Sequence, residues 1–405
     1  MTDAVAIAGA AEAQLGQALP GLGAADVMAE AARAALDDAG LTPADVDGVF
    51  AASTQLPWAS VNLAEDLGLA PRHSDSTMLG GSSPMAHLNH ARAAISAGLC
   101  DVALIAYGST QRTVGRARAS VQEVDPWEAP YRPMLPVAAY ALAASRHMHV
   151  YGTTPEQLAW VAVSARRWAQ GNPRAWAREE LTIEDVLAAP RVCDPLGVLD
   201  CCLVTDGGGA LVVTSAERAS TLARRPVHLL GAGEAHSHRH ISSMPDLTVT
   251  AAVESGARAF AEAGLTAADV QAAQLYDAFT ITPILFLEDL GFCAKGEGGP
   301  FVADGRIAPG GALPVNTNGG GLSYAHAGMN GLQLLVEAVR QVREERRDVV
   351  LAHGNGGVLS TQCTVLLGSE AAAGARPRRK AARIRLPVGA TPRRPRRASV
   401  EVAGR

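Results

Sequence analysis

The stretch AGLTPADV, residues 39–46, recurs almost unchanged as AGLTAADV at residues 263–270. Each copy follows an alanine-rich stretch with helical spacing and precedes a short apolar run that is typical of a β-strand. A helix, a turn and a strand that recur in the same order indicate a duplicated unit. This echo therefore predicts that the chain contains two related halves.

Two further pairs of segments support the duplication. The strand-like DVALIAYGS (101–109) has a counterpart in DVVLAHGNGG (348–357), and AVAIAGAAEA (4–13) has one in PVHLLGAGEA (226–235). Because all three pairs occur in the same order along the chain, chance similarity is a poor explanation for them.

These landmarks predict an N-terminal half over residues 1–222 and a C-terminal half over residues 223–370. Strands that alternate with helices favour α/β halves with mostly parallel sheets and helices on their faces. The first half is longer, because it carries a segment at about residues 110–205 for which we predict a helical insertion. Insertions of this kind commonly cap a pocket.

Composition narrows the class of protein. The chain has 405 residues, is 48% hydrophobic, and contains no apolar run long enough for a membrane span. Its first residues lack the basic start of a signal peptide, so we expect a cytoplasmic location. Six cysteines without CxxC spacing favour buried free thiols over a disulfide framework or a metal site.

Charge is divided unevenly along the chain. Residues 371–405 contain eleven Lys and Arg against one acid, Glu401, whereas the rest carries 24 basic and 39 acidic side chains, a net charge near −15. An acidic body is a poor surface for nucleic acid, so we expect no nucleic-acid partner. The Pro- and Arg-rich end is predicted to be a disordered tail.

A glycine turn leads into a small-residue helix in GGSSPMAHLNHARAAISAG, residues 80–98. Pro84 stands where a first helical turn tolerates proline, and the alanines suit a close-packed, buried helix. The first N–H groups of such a helix point toward the preceding turn, where enzymes often place a nucleophile.

Several motifs make the chain similar to the thiolase superfamily, and within it to the lipid-transfer-protein branch, the sterol-carrier-linked thiolase relatives. The similarity extends along most of residues 1–370. It rests on MPDLT (244–248), YDAFT (276–280), LEDLGFC (287–293), NTNGGGLSYAHAGMNG (316–331) and HGNGGVLS (353–360). The resemblance implies a duplicated, five-layer αβαβα thiolase fold with two mixed sheets whose cores are mostly parallel. It also implies a homodimer and a CoA thioester as substrate, with no permanently bound cofactor.

The cysteine nucleophiles of thiolytic family members are absent here. The family's first-half slot falls on Gly81, with Ser82 beside it, and the slot of the second cysteine is occupied by His353. The family's glycine-histidine-proline motif appears as Ala325-His326-Ala327. Because a serine hydroxyl is a far weaker nucleophile than a thiolate near pH 7, thiolysis is not expected.

The remaining residues suit enolate chemistry, which needs hydrogen-bond donors at a thioester oxygen. We expect two glycine-rich segments to bind the CoA thioester, through Gly81, Ser82, Ser83, Gly356 and Gly357.

Four residues are the candidates for catalysis. We expect Tyr324 to act near the β-position of the acyl chain, with His326 and His353 as donors or proton carriers. Asp277 stands where the resemblance places an asparagine in many thiolases, and it either orients a histidine or water or caps the following helix. Its neighbour Tyr276 is expected to be structural.

The resemblance implies a retro-aldol lyase that cleaves a bulky, steroid-type β-hydroxyacyl-CoA into a ketone and a short acyl-CoA. Relatives of this kind act with a small partner that carries an OB fold and a zinc ribbon, so a heterotetramer is expected. Two alternatives stay open: an acyl-CoA-binding or scaffold subunit without chemistry of its own, and an acyltransferase or condensing enzyme.

Overall fold

The computed structural model describes residues 4–115 and 125–375. The first half contains strands β1 (Val5–Glu12), β2 (Gly48–Ala51), β3 (His73–Asp75), β4 (Val102–Ser109) and β7 (Gly207–Ser215). Its helices outside the insertion are α1 (Ala24–Ala39), α2 (Ala59–Leu67), α3 (Ser83–Ser96) and, after β7, α8 (Ala216–Ala219).

The insertion between β4 and β7 is mainly helical. It comprises α4 (Gln111–Val114), α5 (Val137–Tyr151), α6 (Pro155–Gln170), α7 (Ile183–Ala188) and the short strands β5 (Arg191–Cys193) and β6 (Leu196–Gly197).

The described part of the second half repeats four of the five sheet strands of the first, without a counterpart of β3. Its strands are β8 (Val227–His236), β9 (Ala272–Leu275), β10 (Val349–Gly356) and β11 (Thr361–Gly368). Its helices are α9 (Ala252–Ala263), α10 (Ile281–Asp289), α11 (Gly298–Val302), α12 (Gly331–Arg343) and α13 (Glu370–Gly374).

The echo at residues 39–46 and 263–270 forms the same local structure twice. Gly40 and Gly264 end α1 and α9 in the left-handed conformation, with φ of 70° in both cases. The hydroxyl groups of Thr42 and Thr266 then bond the carboxylates of Asp45 and Asp269 at 2.9 and 2.8 Å, at the start of matching 3-10 turns.

The strands form one continuous sheet in the order β3-β2-β4-β7-β1-β8-β11-β10-β9. The two sheets expected from the sequence are thus joined edge to edge, because β1 pairs antiparallel with β8 through Ala6–His228 and Ile7–Val227. The third repeated pair of segments, β1 and β8, therefore lies at the junction of the halves.

The prediction of mostly parallel strand pairs is wrong. Only β2 with β3, β2 with β4, and β9 with β10 are parallel, whereas the other five pairings in the nine-stranded sheet are antiparallel. The reason is visible at β10 and β11, which are joined by a four-residue turn that can only reverse the chain.

Helices α3 and α12 form the central layer, since both contact strands of both halves. Helix α1 packs on β1, β4 and β7, and α9 packs on β8 and β11 from the opposite outer side. This arrangement gives the five helix and sheet layers and places the N-terminal ends of α3 and α12 deep in the molecule.

The predicted tail begins as a helix rather than as disordered chain, because α13 extends to Gly374. The rest of that prediction, from residue 376 onward, lies outside the described residues. None of the helices in residues 4–115 and 125–375 combines the length and apolar character needed to cross a membrane.

Candidate active site

The glycine turn before α3 is buried and internally bonded. Residues Gly80–Ser82 form a 3-10 turn, and α3 starts at Ser83 with Pro84 in its first turn, as expected. The Ser82 hydroxyl donates to the Thr361 carbonyl oxygen at 2.9 Å, and the Ser83 hydroxyl accepts the Leu79 N–H at 2.7 Å. Both hydroxyl groups are therefore engaged within the protein.

The space beside Gly81 is filled by Tyr276, which directly follows strand β9. A Cβ atom on Gly81 would overlap the Tyr276 ring and the carbonyl oxygen of Asn355. Tyr276 is 4% exposed. A phenol ring therefore occupies the place where a side chain at position 81 would have to lie.

The hydroxyl group of Tyr276 meets the imidazole of His326. Its oxygen lies 3.1 Å from Nε2 of His326, and the two rings meet edge to face with centroids 5.6 Å apart. The same hydroxyl also lies 2.8 Å from the carbonyl oxygen of Gly328 and accepts the Asn330 N–H at 3.3 Å. Its one hydrogen goes either to the Gly328 carbonyl oxygen or to Nε2 of His326, so the tautomer of His326 decides which group donates in the Tyr276–His326 bond.

Burial sets the protonation of this pair. It raises the pKa of Tyr276 well above its usual value and lowers the pKa of His326 to about 4. At neutral pH the pair therefore consists of a phenol and a neutral imidazole, and burial disfavours the charged form of both groups.

Asp277 holds the turn that carries His326. Its carboxylate accepts the N–H groups of Gly321 at 2.6 Å and Leu322 at 3.2 Å, within a single π-helical turn at Gly320–Tyr324. Burial raises the pKa of Asp277 to about 6. Asp277 thus fixes the glycine-rich turn that leads to His326, whereas the N-cap position of helix α10 is Thr280, which makes no side-chain capping bond, so the predicted capping role of Asp277 is not seen.

Tyr324 ends this turn but directs its hydroxyl group elsewhere. The hydroxyl donates to Oε2 of Glu12 at 2.5 Å, and the ring packs with Ala169 and Ala175. The hydroxyl group that lies against His326 belongs to Tyr276 rather than to Tyr324.

His353 lies in the middle of β10 with both ring nitrogens bonded. Nδ1 is 2.9 Å from the Thr364 hydroxyl and Nε2 is 2.9 Å from Oε1 of Gln362. The next residue, Gly354, faces the Gly81 carbonyl, so strand alternation turns His353 to the opposite face. Tyr324, His326 and His353 thus have different partners, and the structure does not bring their three side chains together.

The second glycine cluster does adjoin the first. Gly356 lies against the Leu79 carbonyl with no room for a side chain, and Gly357 is exposed with φ +67°. The carbonyl of Gly357 accepts the Tyr140 hydroxyl at 3.0 Å, and that hydroxyl accepts Nδ2–H of Asn355 at 2.8 Å. A residue of the insertion helix α5 therefore fixes the turn after β10.

Two helix N-termini meet at this place. Helices α3 and α12 have 14 and 13 residues, and Gly331 at the start of α12 lies directly against the carbonyl of Gly81. The positive ends of both helix dipoles favour negative charge that develops between them. This is the electrostatic setting that an enolate oxygen needs.

The histidines at 236–240 do not form a metal site. His236 bonds Glu234, His238 bonds the Val358 carbonyl, and His240 lies 3.9 Å from Asp125. Within residues 4–115 and 125–375 there is no group of three metal-ligating side chains arranged to hold an ion.

Tyr276 and Tyr140 are the residues of this site that sequence reasoning missed. A signal for Tyr276 was available, because it directly follows a strand that ends near both glycine clusters. No sequence signal pointed to Tyr140, because the alanine-rich helix α5 does not indicate which of its residues contacts the turn after β10.

The chain resembles known proteins, and the matching family model lies within its second half. Residues 233–369 match the family described as Thiolase C-terminal domain-like. The chain is 38% identical over 344 residues to the 17-hydroxy-3-oxo-4-pregnene-20-carboxyl-CoA lyase of Mycobacterium tuberculosis, covering 78% of this chain and 86% of that protein. It is also 38% identical over 335 residues to the steroid side-chain-cleaving aldolase of Thermomonospora curvata, covering 78% of this chain and 84% of the relative.

A solved structure supports the same placement. The Ltp2-ChsH2(DUF35) aldolase superposes with a TM-score of 0.82 at 32% identity, covering 91% of this chain and 98% of that chain. With a duplicated α/β fold, two adjoining glycine turns and relatives of this similarity, the chain belongs to the thiolase superfamily, in the lipid-transfer-protein branch that resembles the steroid side-chain-cleaving aldolases.

Proposed function

We propose that the chain is an acyl-CoA lyase that cleaves a bulky, steroid-type β-hydroxyacyl-CoA by a retro-aldol reaction, with Tyr276 and His326 as its proton-transfer pair. The observation that carries the site assignment is the Tyr276 ring, which fills the space above Gly81 and directs its hydroxyl group to His326. Relatives named as a pregnene-carboxyl-CoA lyase and a side-chain-cleaving aldolase support the reaction class.

The reaction moves one proton and breaks one carbon–carbon bond. The β-hydroxyl group loses its proton as its oxygen forms the ketone, and the electron pair of the Cα–Cβ bond passes to the thioester as an enolate. Protonation of Cα then releases the shortened acyl-CoA. The reaction forms no covalent intermediate with the enzyme and consumes neither an oxidant nor water. It therefore does not require a nucleophile at position 81.

The protonation states of Tyr276 and His326 at neutral pH fit this order of reaction steps. Neutral His326 accepts the proton of the substrate hydroxyl through the phenol of Tyr276, and the same relay returns a proton to Cα. The N-termini of α3 and α12 stabilise the enolate oxygen between these events. Asp277 and Tyr140 hold the two glycine-rich turns but do not take part in proton transfer.

The assembly we propose is a homodimer bound to two copies of a small OB-fold, zinc-ribbon partner, in the cytoplasm. The solved relative is a complex whose name includes a DUF35 component, which supports a partner of that class. The CoA thioester is the substrate, and the scheme requires no resident cofactor.

The test is mass spectrometry of CoA products. The purified chain, alone and with a DUF35-type partner, is given 17-hydroxy-3-oxo-4-pregnene-20-carboxyl-CoA. We expect a ketone and a shortened acyl-CoA from the wild-type chain. In Tyr276→Phe the cleavage rate should fall by about a hundredfold, a typical loss for a general acid–base group.

The matched control is Tyr131→Phe, because Tyr131 lies in the insertion and its side chain is 84% exposed. It should cleave at the wild-type rate. Intact substrate in every mixture, despite measurable binding of the CoA ester, would move the protein to the class of binding subunits.

A further inference from the structure

A large cavity borders the turn that carries His326 and is lined in part by Tyr324. It has a volume of about 910 Å³ and lies between the end of β1, helix α12 and the segment after α6. Its lining includes Glu12, Trp168, Arg174, Tyr324, Glu337 and Arg340. Neither Tyr276 nor His326 lines this cavity, so it is distinct from the proposed site of bond cleavage.

Glu12 is the buried acid of this cavity. It ends strand β1, its side chain is 5% exposed, and its Oε2 accepts both the Tyr324 hydroxyl at 2.5 Å and Nη1 of Arg174 at 3.1 Å. The other charged groups that face it are Glu337 and Arg340 of α12. Burial outweighs the arginines and raises the pKa of Glu12 to about 7.

The hydrogen bond to Glu12 holds Tyr324, which precedes His326 by two residues along the chain. Tyr324 closes the π-helical turn, and Ala325 continues in extended conformation directly into His326. Three other side chains hold the turn: Asp277 accepts N–H groups of its glycine-rich start, Asn318 accepts the Gly320 N–H at 2.8 Å through Oδ1, and Arg166 donates from Nε to the Ser323 hydroxyl at 3.0 Å. Glu12 and Asn318 both line the 910 Å³ cavity, and of these two only Glu12 carries a titratable side chain.

We propose that Glu12 is a positioning residue of the lyase, which fixes His326 through its hydrogen bond to Tyr324 and, being reached by solvent protons through the cavity, makes turnover depend on pH. A carboxylate forms a stronger, charge-assisted bond with the Tyr324 hydroxyl and pairs with Arg174. Protonation removes that charge and loosens the turn. Turnover should therefore be full above the pKa of Glu12 and fall as the pH drops through it.

This inference rests on the proposed lyase function, and its test uses the pH dependence of kcat. In wild-type enzyme with its partner, kcat should fall as the pH decreases below about 7, where Glu12 takes up a proton. Glu12→Gln should lower kcat at pH 8 by about tenfold with little change in KM, the effect of one weakened charge-assisted bond. It should also lose the fall near pH 7 and keep only a fall near pH 6 from Asp277.

Two further variants separate positioning from general destabilisation. Tyr324→Phe keeps Glu12 but removes the bond, so it should cause the same loss of kcat and should not add to Glu12→Gln. Asp38→Asn is the matched control, because Asp38 lines the same cavity but bonds Arg224 and Arg343 instead of the turn. It should keep the wild-type pH profile.

Hydrogen–deuterium exchange at residues 321–326 gives a readout that needs no turnover. Exchange should be faster in Glu12→Gln than in wild type at pH 8. A wild-type enzyme that cleaves, with a Glu12→Gln profile that still falls near pH 7 or with unchanged exchange, would overturn this role and leave the lyase intact. If wild type does not cleave, the proposed function fails, and exchange alone then decides whether Glu12 holds the turn.

Discussion

Position 81 is a glycine, and the ring of Tyr276 fills the space that a side chain at this position would need. A side chain at position 81 and the Tyr276 ring cannot occupy the same space. A cysteine restored at position 81 would therefore not by itself make this protein a thiolase, because Tyr276 would have to move first. The residue that excludes thiolysis is also the residue that we assign to proton transfer.

Replacing Gly81 by alanine tests whether Tyr276 excludes a side chain at position 81. Gly81→Ala should lower the free energy of unfolding by about 1–3 kcal/mol, the usual cost of overpacking a buried position. Gly171→Ala is the matched control, since Gly171 has φ −81° and no atom nearer than 3.7 Å to its added Cβ. Urea denaturation of both variants measures the difference, and equal stability of the two would contradict the packing described here.

Side-chain direction was the part of the site that could not be predicted. The motif SYAH places Tyr324 two residues before His326, but spacing along an irregular turn does not determine which hydroxyl group meets the imidazole. Strand alternation explains the error at His353, because a shift of one residue along β10 separates the site face from the outer face.

At the scale of elements, the duplication could be predicted well. Each repeated segment forms the same element in both halves, including the matching 3-10 turns that begin at Thr42 and Thr266. Strand direction could not be predicted equally well, because an apolar run indicates burial on both faces but carries no information about its neighbours. The antiparallel direction of β11 depends on a short turn that a sequence motif alone does not distinguish from a crossover.

Helix α3 is also held to both halves by one histidine. Nδ1 of His90 lies 2.7 Å from Asp75 on β3, and its Nε2 lies 3.5 Å from Glu234 on β8. These carboxylates, Asp75 foremost, raise the pKa of His90 to about 9, while burial lowers the pKa of the adjacent His87 to about 4. His90 is therefore protonated at neutral pH and links strands of the two halves.

This link predicts a pH-dependent stability. Because the pKa of folded His90 is above the value of about 6.5 for an unfolded histidine, its contribution is full below pH 6.5 and is lost as the pH rises through 9. His90 is a third exposed, so we expect this contribution to be about 1 kcal/mol.

The measurement is the free energy of unfolding at pH 6 and pH 9.5 for wild type and His90→Asn. Titrations at other groups cancel when the two are compared. Wild type should lose about 1 kcal/mol more than the variant, whereas the exposed His149→Asn control should follow wild type. Parallel losses in wild type and His90→Asn would show that this histidine does not link the halves.

At the scale of the whole molecule, the fold explains why one scaffold serves chemistry with and without a nucleophile. The duplication brings the N-termini of α3 and α12 together in the central layer, and this positive environment stabilises an enolate whatever residue starts the reaction. What varies is the pair of side chains beside it. In the mechanism proposed here, a phenol and a neutral imidazole take the place of the thiols of thiolytic relatives.

The most direct test of this account is cleavage of 17-hydroxy-3-oxo-4-pregnene-20-carboxyl-CoA in D₂O by the chain with its partner. A thioester enolate that is protonated through exchangeable groups must take up solvent hydrogen at Cα. We predict a shortened acyl-CoA that carries a single deuterium, together with a ketone, and formation of this product about a hundredfold more slowly by Tyr276→Phe. A shortened acyl-CoA without deuterium, or unaltered production by Tyr276→Phe, would contradict the retro-aldol mechanism at this site.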